Sequence, residues 1–204
     1  MTNALIIFIK NPVKGKVKTR LARTIGNESA LDIYLQLLAM TRLLAENFKT
    51  AKRYVFYSDY IDTDDDWSNT IFEKKLQIGN DLGERMYNAF DEISKQNQKV
   101  IIIGSDCPDI TNEILQTGFE ALDTHNYVLG PSLDGGYYLL GSSTDFEDFN
   151  KHQFLFENMI WSTDKVFPET ENRIKKMKKK LLLLPTLNDI DDEEDWREWL
   201  VSSC

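Results

Sequence analysis

The fold is decided by the stretch Ala4-Leu-Ile-Ile-Phe-Ile9, which leads directly into Lys10-Asn-Pro-Val-Lys-Gly-Lys-Val-Lys-Thr-Arg-Leu-Ala-Arg23. The first segment is apolar at every position, which predicts a strand buried on both faces and therefore a parallel sheet. The second segment carries six basic residues and no Asp or Glu. A strand that ends in a Gly- and Lys-rich loop is a common way to hold phosphate, because the loop offers free backbone N–H groups and positive charge. On composition alone, a surface loop that balances an acidic protein is an equal alternative.

The rest of the chain alternates between apolar runs and amphipathic segments. Strands are predicted at 54–57, 99–103, 127–130, 136–141 and 181–184. Helices are predicted from 27 or 29 to 48, at 82–93 and 111–122, from 163 or 169 towards 180, and at 191–201. This alternation indicates an α/β fold with a mostly parallel central sheet. A length of 204 residues predicts a single domain over residues 1–204.

Composition limits the classes of function. The net charge of -9 argues against general nucleic-acid binding, which needs a broad basic surface. No apolar run approaches the roughly 20 residues that cross a bilayer, and Met1-Thr-Asn lacks the basic start of a signal peptide, so neither membrane insertion nor secretion is expected. The two cysteines, Cys107 and Cys204, lie far apart, which fits a reducing compartment. We therefore expect a cytoplasmic protein.

Two segments are predicted to meet at the carboxyl edge of the sheet, where α/β proteins bind ligands. In the basic loop, Gly15 allows close backbone approach, and Lys10, Lys18 and Arg20 supply charge to a phosphate. In Gly104-Ser-Asp-Cys-Pro-Asp109, Asp106 follows a buried strand and is suited to Mg²⁺ or Mn²⁺, which take one or two carboxylates from the protein and further ligands from phosphate and water. Thr111 is predicted to cap the following helix, and Asp109 also reads more simply as a cap than as a metal ligand.

Two further segments leave alternatives open. Asp134-Gly135-Gly136 reads first as a turn between strands, but its glycines also permit close approach to a ligand, and Asp134 could meet a sugar hydroxyl, a base or a metal-bound water. The acidic run from Asp189 to Asp195 suits the start of a helix. Alternatively, Asp189 or Asp191 supplies a second carboxylate to the metal.

Five segments in this order closely resemble the bacterial glycosyltransferase-A-like family known as DUF2064 or "rSAM/selenodomain-associated transferase". The segments are Lys10 to Leu21, Asp81-Leu-Gly-Glu-Arg-Met86, Gly104 to Asp109, Gly130 to Tyr138, and Asp189 to Asp195. The family is similar to phospholactate guanylyltransferases and molybdenum-cofactor nucleotidyltransferases. The resemblance spans residues 4 to about 198.

The resemblance implies a three-layer α/β/α nucleotide-diphospho-sugar transferase fold, of the GT-A, Rossmann-like type. It implies a Mg²⁺- or Mn²⁺-dependent transferase that uses a nucleotide-sugar or nucleotide donor and a small-molecule acceptor. A glycosyltransferase is the first expectation, and a nucleotidyltransferase that releases pyrophosphate is the alternative. A nucleotide-binding module without turnover is the third hypothesis.

The resemblance also implies roles for individual residues. Metal ligands would be Asp106 and Asp191, although Asp191-Asp-Glu-Glu-Asp195 lacks the proline that is usual in this turn. The catalytic set would be Lys18, Arg20 and Asp106. The residues that bind the nucleotide and its phosphates would be Lys10, Gly15, Lys18, Arg20, Arg85 and Ser105. The alternative for Arg85 is an ion pair with Glu84 or Asp81 on a helix surface. The substrate set would be Asp134, Gly135, Gly136, Tyr137 and Trp161.

Overall fold

A mixed seven-stranded sheet runs through the centre of the part of the chain that the computed structural model describes, residues 2–143 and 153–202. The strands are β1 (Asn3–Ile9), β2 (Lys52–Tyr57), β3 (Phe72–Leu76), β4 (Lys99–Ile103), β5 (Tyr127–Pro131), β6 (Tyr137–Ser143) and β7 (Leu181–Leu183), in the spatial order β3-β2-β1-β4-β6-β5-β7. The helices are α1 (Thr19–Asn47), α2 (Leu82–Ser94), α3 (Asn112–Ala121), α4 (Gln153–Phe156), α5 (Val166–Lys176) and α6 (Glu193–Ser202).

Strand direction brings together three of the segments that are predicted to bind ligand. All strand pairs are parallel except those of β6, which runs antiparallel to both β4 and β5. The carboxyl ends of β1 and β4 therefore lie beside the first residues of β6. The basic loop, the Gly104–Asp109 segment and the Asp134 turn all emerge at this edge.

Helices cover both faces of the sheet, which gives three layers. On one face, alternate residues of β1 such as Leu5 and Ile7 pack against α1 and α3. On the other face, Ala4 and Ile6 pack against α2, α4 and α5. Because both faces of β1 are covered, its residues from Ala4 to Ile9 are apolar, and the predicted α/β/α architecture with a mostly parallel sheet is confirmed.

Helix α1 begins earlier than its pattern predicts. It starts at Thr19, not at Asn27 or Ser29, and bends at Gly26, whose φ of 84° is not helical. Its N-cap residue is Lys18, which makes no side-chain cap and has left-handed backbone angles of 46° and 47°. The first turns therefore carry no capping signal, and the sequence prediction found only the portion after the bend.

Two other differences, in a strand and in a helix cap, have local causes. Strand β3 was not predicted, because it pairs only with β2 at the sheet edge and its sequence Phe-Glu-Lys-Lys-Leu has few apolar residues. Thr111 caps α3 by accepting the N–H of Ile114, which confirms its predicted role, whereas the cap predicted at Asp109 is wrong. Cys204 lies outside the described residues. Among the helices that are described, none combines the length and apolarity needed to span a membrane.

Candidate active site at the carboxyl edge of the sheet

A cavity of about 420 Å³ opens at the edge where β1 and β4 end and β6 begins. It is lined by ten of the residues that the sequence analysis singled out: Lys10, Lys18, Arg20, Ser105, Asp106, Asp134, Gly136, Tyr137, Trp161 and Asp191. Gly15, Arg85 and Gly135 lie outside its lining. The cavity therefore joins residues from five segments that are far apart in the sequence.

Lys18 is the centre of the charged side of the cavity. Its ammonium lies 2.9 Å from Asp106 Oδ2 and 3.7 Å from Asp191 Oδ1, and it donates to the carbonyl oxygen of Ile190 at 2.6 Å. Only 5% of the Lys18 side chain is exposed, against 44% of the Asp106 side chain. The loop after β1 thus delivers one cation to both of the predicted metal carboxylates.

This pairing shifts both pKa values towards the charged forms. For Lys18, burial acts to lower the pKa, but the neighbouring carboxylates of Asp106, Asp191 and Asp189 outweigh it and raise the pKa. For Asp106, burial acts to raise the pKa, but the charge and hydrogen bond of Lys18 lower it. The two groups form an ion pair at neutral pH.

Arg20 lies on the first turn of α1 and reaches the same cluster. Its Nη1 donates to Asp191 Oδ2 at 3.0 Å, and 58% of its side chain is exposed. Asp191 therefore contacts Arg20 on its open side and Lys18 on its buried side. An exposed guanidinium at the mouth of a cavity can also bind an incoming anion in a bidentate manner.

A tight acidic turn presents Asp191. Asp195 Oδ2 accepts the backbone N–H groups of Asp191 and Asp192, and its Oδ1 accepts the side-chain amide of Asn188. Asp195 therefore stabilises the start of the helix, whereas Asp191 contacts the site. Both roles predicted for the acidic run are present, in different residues.

Asp189 is a further carboxylate that lines the cavity, beside Asp106 and Asp191. It accepts a hydrogen bond from Ser132 Oγ at 2.9 Å. Burial, followed by the charge of Asp106, raises the pKa of Asp189 to about 7. The sequence is compatible with either Asp189 or Asp191 as the second carboxylate, and the structure brings both to the cavity.

Tyr34 was missed by the sequence analysis. Its hydroxyl accepts the backbone N–H of Lys10 at 2.8 Å, donates to the Lys10 carbonyl at 2.9 Å, and lies 3.4 Å from Ser105 Oγ. It therefore ties the end of β1 to the end of β4 beneath the charged cluster. This role has no signature in the sequence, since Tyr34 falls within the apolar stripe of α1.

The opposite side of the cavity is apolar and aromatic. Phe8, Met86, Tyr137, Trp161 and Val166 line it. The indole of Trp161 packs on the start of α2, where a Cβ at Gly83 would lie 2.7 Å from Trp161 Nε1. The cavity thus has one side suited to phosphate and metal and another suited to a ring or an apolar group.

The Asp134 turn supports this apolar side. Asp134 Oδ1 accepts the N–H of Gly136 at 2.7 Å, as expected for a turn between strands. Gly135 has a φ of 87°, and a Cβ there would lie 2.4 Å from backbone atoms of Asp164. Gly135 therefore supports the segment that carries Trp161, while Asp134 and Gly136 line the cavity itself.

Gly15 and Arg85, both predicted to contact phosphate, lie outside the cavity lining. Gly15, with a φ of 79°, forms a turn in which Lys16 N donates to the Val13 carbonyl. Arg85 Nε donates to the carbonyl of Gly79 at 3.2 Å, which is neither of the two pairings considered for it.

The donors present fit a hard divalent cation. The carboxylates of Asp106 and Asp191 already approach one positive charge, that of Lys18. Carboxylate oxygens are the protein ligands that Mg²⁺ prefers, and Mg²⁺ commonly uses one or two of them together with phosphate oxygens. Within residues 2–143 and 153–202, no group of three or more His, Cys, Asp or Glu side chains forms a ready-made metal cage.

The fold and this edge site define a protein of the nucleotide-diphospho-sugar transferase fold. The chain belongs to the DUF2064 family, described as an uncharacterized protein conserved in bacteria, whose profile matches residues 42–163. The comparison with curated proteins found no match.

Solved structures agree with this assignment. An inferred nucleotide-diphospho-sugar transferase from Desulfovibrio desulfuricans G20 is 28% identical, with a TM-score of 0.89 over 100% of this chain and 88% of that one. A CMP:2-keto-3-deoxy-manno-octonic acid synthetase complexed with CTP is 8% identical, with a TM-score of 0.61 and full coverage of both chains. The Rv0371c protein of Mycobacterium tuberculosis H37Rv, in complex with manganese, is 12% identical, with a TM-score of 0.58 over 99% and 100% of the two chains. The last two show the fold alone.

Proposed function

We propose that the protein is a Mg²⁺- or Mn²⁺-dependent transferase that uses a nucleotide-sugar or nucleotide donor, with its active site in the cavity at the carboxyl edge. One observation carries the proposal. Lys10, Lys18 and Arg20 line the same cavity as Asp106 and Asp191, although the basic and acidic groups come from distant parts of the sequence. A cavity that gathers both cations and carboxylates suits a metal-bound phosphate better than a simple anion.

In the proposed mechanism, most of the catalysis is alignment and charge stabilisation. Lys10, Lys18 and Arg20 neutralise the phosphate oxygens, which stabilises the negative charge that the leaving group develops. Asp106 and Asp191 hold the divalent ion, which supplies Lewis-acid stabilisation of phosphate oxygens when bound. The apolar side, with Tyr137 and Trp161, orients a ring of the donor or acceptor and excludes water.

Glycosyl transfer is the first candidate reaction, and the similarity to the Desulfovibrio protein supports it. In that reaction the donor sugar passes to an acceptor and a nucleoside diphosphate leaves. Nucleotidyl transfer is the second candidate, favoured by the four basic residues that line the cavity, Lys10, Lys16, Lys18 and Arg20, because a triphosphate carries more charge to neutralise. In that reaction an acceptor attacks the α-phosphate and pyrophosphate leaves. As the location we propose the cytoplasm, from the two widely separated cysteines.

A thermal-shift screen of nucleotides and nucleotide-sugars, with and without Mn²⁺, selects the donor. A ligand at a hundredfold excess over its Kd adds about 2.7 kcal/mol to the stability of the protein, which such a screen detects. The selected donor is then incubated with candidate acceptors. Release of UDP or GDP identifies glycosyl transfer, whereas release of pyrophosphate identifies nucleotidyl transfer.

The site assignment is tested by Asp106→Asn, with Asp109→Asn as the matched control. Asp109 lies on the same segment, but it is exposed and accepts the indole N–H of Trp199 outside the cavity. We expect Asp106→Asn to abolish metal-dependent turnover and Asp109→Asn to retain it. Metal-dependent turnover that survives in Asp106→Asn would contradict the assignment.

A further inference from the structure

Lys18 is enclosed more completely than a phosphate-binding lysine needs to be. Its ammonium has three N–H donors, and three oxygen atoms surround it: Asp106 Oδ2 at 2.9 Å, the Ile190 carbonyl at 2.6 Å and Asp191 Oδ1 at 3.7 Å. Only 5% of the side chain is exposed, so these oxygen atoms, two of them within hydrogen-bond distance, largely enclose the ammonium.

The backbone of Lys18 is held where it is. The residue has left-handed φ and ψ angles of 46° and 47°, which are unfavourable for a residue with a side chain. Its neighbours anchor it, because Val17 is 2% exposed and Leu21 is fully buried. The Lys18 carbonyl also accepts the N–H of Ala22 in the first turn of α1. A change in the position of the ammonium must therefore come from side-chain rotation.

The two carboxylates that hold this ammonium are the proposed metal ligands. A divalent ion that bridges Asp106 and Asp191 would lie within a few ångströms of the ammonium, where two positive charges repel strongly. The ammonium and the metal ion therefore compete for the same pair of oxygen donors.

From this geometry we infer that Lys18 is a resident counter-ion of the Asp106–Asp191 pair, and that a divalent ion enters only when a phosphate draws the Lys18 ammonium off the carboxylates. In this positioning role, Lys18 holds the two carboxylates close together before substrate arrives. Its ammonium then moves from the carboxylates to the phosphate. Metal binding is thereby made dependent on nucleotide binding. The inference rests on the proposed function for the part that phosphate plays.

The first experiment measures Mn²⁺ binding without nucleotide, by electron paramagnetic resonance of free Mn²⁺. The variants are Lys18→Met, which removes the charge at similar length, and Lys14→Met as the control. Lys14 is exposed on the same loop and pairs with Glu28. We expect Lys18→Met to bind Mn²⁺ at least about tenfold more tightly than the wild type, and Lys14→Met to match the wild type. Equal affinities of the wild type and Lys18→Met would overturn the inference.

A double variant, Lys18→Met with Asp106→Asn, locates the bound ion. Loss of the gained affinity in this variant supports binding at the carboxylate pair, and retention of the gain overturns it. Thermal unfolding of each variant shows whether it is folded.

A second experiment uses the wild type alone, so it does not depend on the folding of a variant. Lysines are acetylated with limiting acetic anhydride, and the modified sites are quantified by mass spectrometry. We expect Lys18 to react much more slowly than Lys14, with Mn²⁺ alone leaving its rate unchanged. Faster labelling of Lys18 on addition of Mn²⁺ alone would show that the ion displaces it unaided, and the inference would be wrong.

Different results contradict the proposed function and the inferred role of Lys18. If no nucleotide or nucleotide-sugar stabilises the wild type in the thermal-shift screen, the proposed function fails, and the Mn²⁺ titrations still decide the competition. If a nucleotide binds but Lys18→Met gains no Mn²⁺ affinity, the function stands and the role of Lys18 fails.

Discussion

The backbone N–H of Ile190 donates to the backbone carbonyl of Asp106 at 2.9 Å, so the segment that carries Asp191 is fastened directly to the end of β4. Ile190 is almost fully buried, and it packs with Leu21 at the start of α1. The positions of the two proposed metal ligands are therefore linked through the main chain as well as through Lys18. The distance between them depends on the turn that follows Ile190.

Asp195→Ala tests that turn. The substitution leaves the N–H groups of Asp191 and Asp192 without their acceptor, so we expect a loss of about 1–2 kcal/mol in the free energy of unfolding. Donor binding in the presence of Mn²⁺ weakens as well, because Asp191 loses its fixed position. Urea denaturation measures the first effect and calorimetry the second. Glu194→Ala, at an exposed neighbouring position, serves as control, and an equal loss in both variants would argue against the turn.

Gly135→Ala tests the support of the aromatic side, with Gly26→Ala as its matched control. Both glycines have a φ near 85°, but a Cβ at Gly26 meets nothing within 4 Å, whereas one at Gly135 meets the backbone of Asp164 at 2.4 Å. Both variants carry the strain of positive φ, and Gly135→Ala adds overpacking that costs about 1–3 kcal/mol more. Equal destabilisation in urea denaturation would show that the contact with Asp164 does not matter.

Asp189→Asn tests the raised pKa of Asp189. A carboxyl whose pKa is about 7 in the folded protein binds its proton more tightly there than in the unfolded chain, where the pKa is near 3.8. The wild type therefore loses stability as the pH rises from about 4 to 7. The asparagine variant lacks this loss, so relative to the wild type it gains about 2–3 kcal/mol between pH 5 and pH 8, measured by urea denaturation without metal. Asp64→Asn, on an exposed loop, is the control, and an unchanged difference between wild type and Asp189→Asn at the two pH values would contradict the prediction.

Arg20→Met separates ligand binding from stability. The ion pair of Arg20 with Asp191 is largely exposed, so its loss changes the free energy of unfolding by less than about 1 kcal/mol. Affinity for the donor selected by the thermal-shift screen falls about tenfold or more, because a bidentate phosphate contact is lost. Arg23→Met, one turn further along α1 and exposed, retains wild-type affinity. Calorimetric titration distinguishes the two, and equal weakening by both would point to general charge attraction.

The elements that the sequence predicts correctly are those that can be recognised from their own residues. Strands β1 and β4 are apolar at nearly every position because both faces of each are covered, and they were placed correctly. Strand β3 escaped prediction because Glu73, Lys74 and Lys75 give it the composition of an edge strand. The start of α1 escaped because its cap is a left-handed lysine without a side-chain cap.

The site divides in the same way. Asp106 could be placed at the carboxyl edge because it directly follows a buried strand. The contacts of Lys18 could not be predicted, since they depend on a rare backbone conformation and on an oxygen atom 172 residues away. The contact of Arg85 with Gly79 was equally hidden, because it depends on how the loop before α2 folds back.

Lys18 and Ile190 are 172 residues apart in the sequence, and this separation determines when the site can form during synthesis of the chain. A growing polypeptide can form the β1–β4 part of the sheet and the β5–β6 hairpin from residues that are already present, since those contacts need only the first 143 residues. The carbonyl of Ile190 and the carboxylate of Asp191 are added nearly fifty residues later. Until then, Lys18 and Asp106 lack both the Ile190 carbonyl and the Asp191 carboxylate. The protein completes its site only when almost the whole of the described chain has left the ribosome.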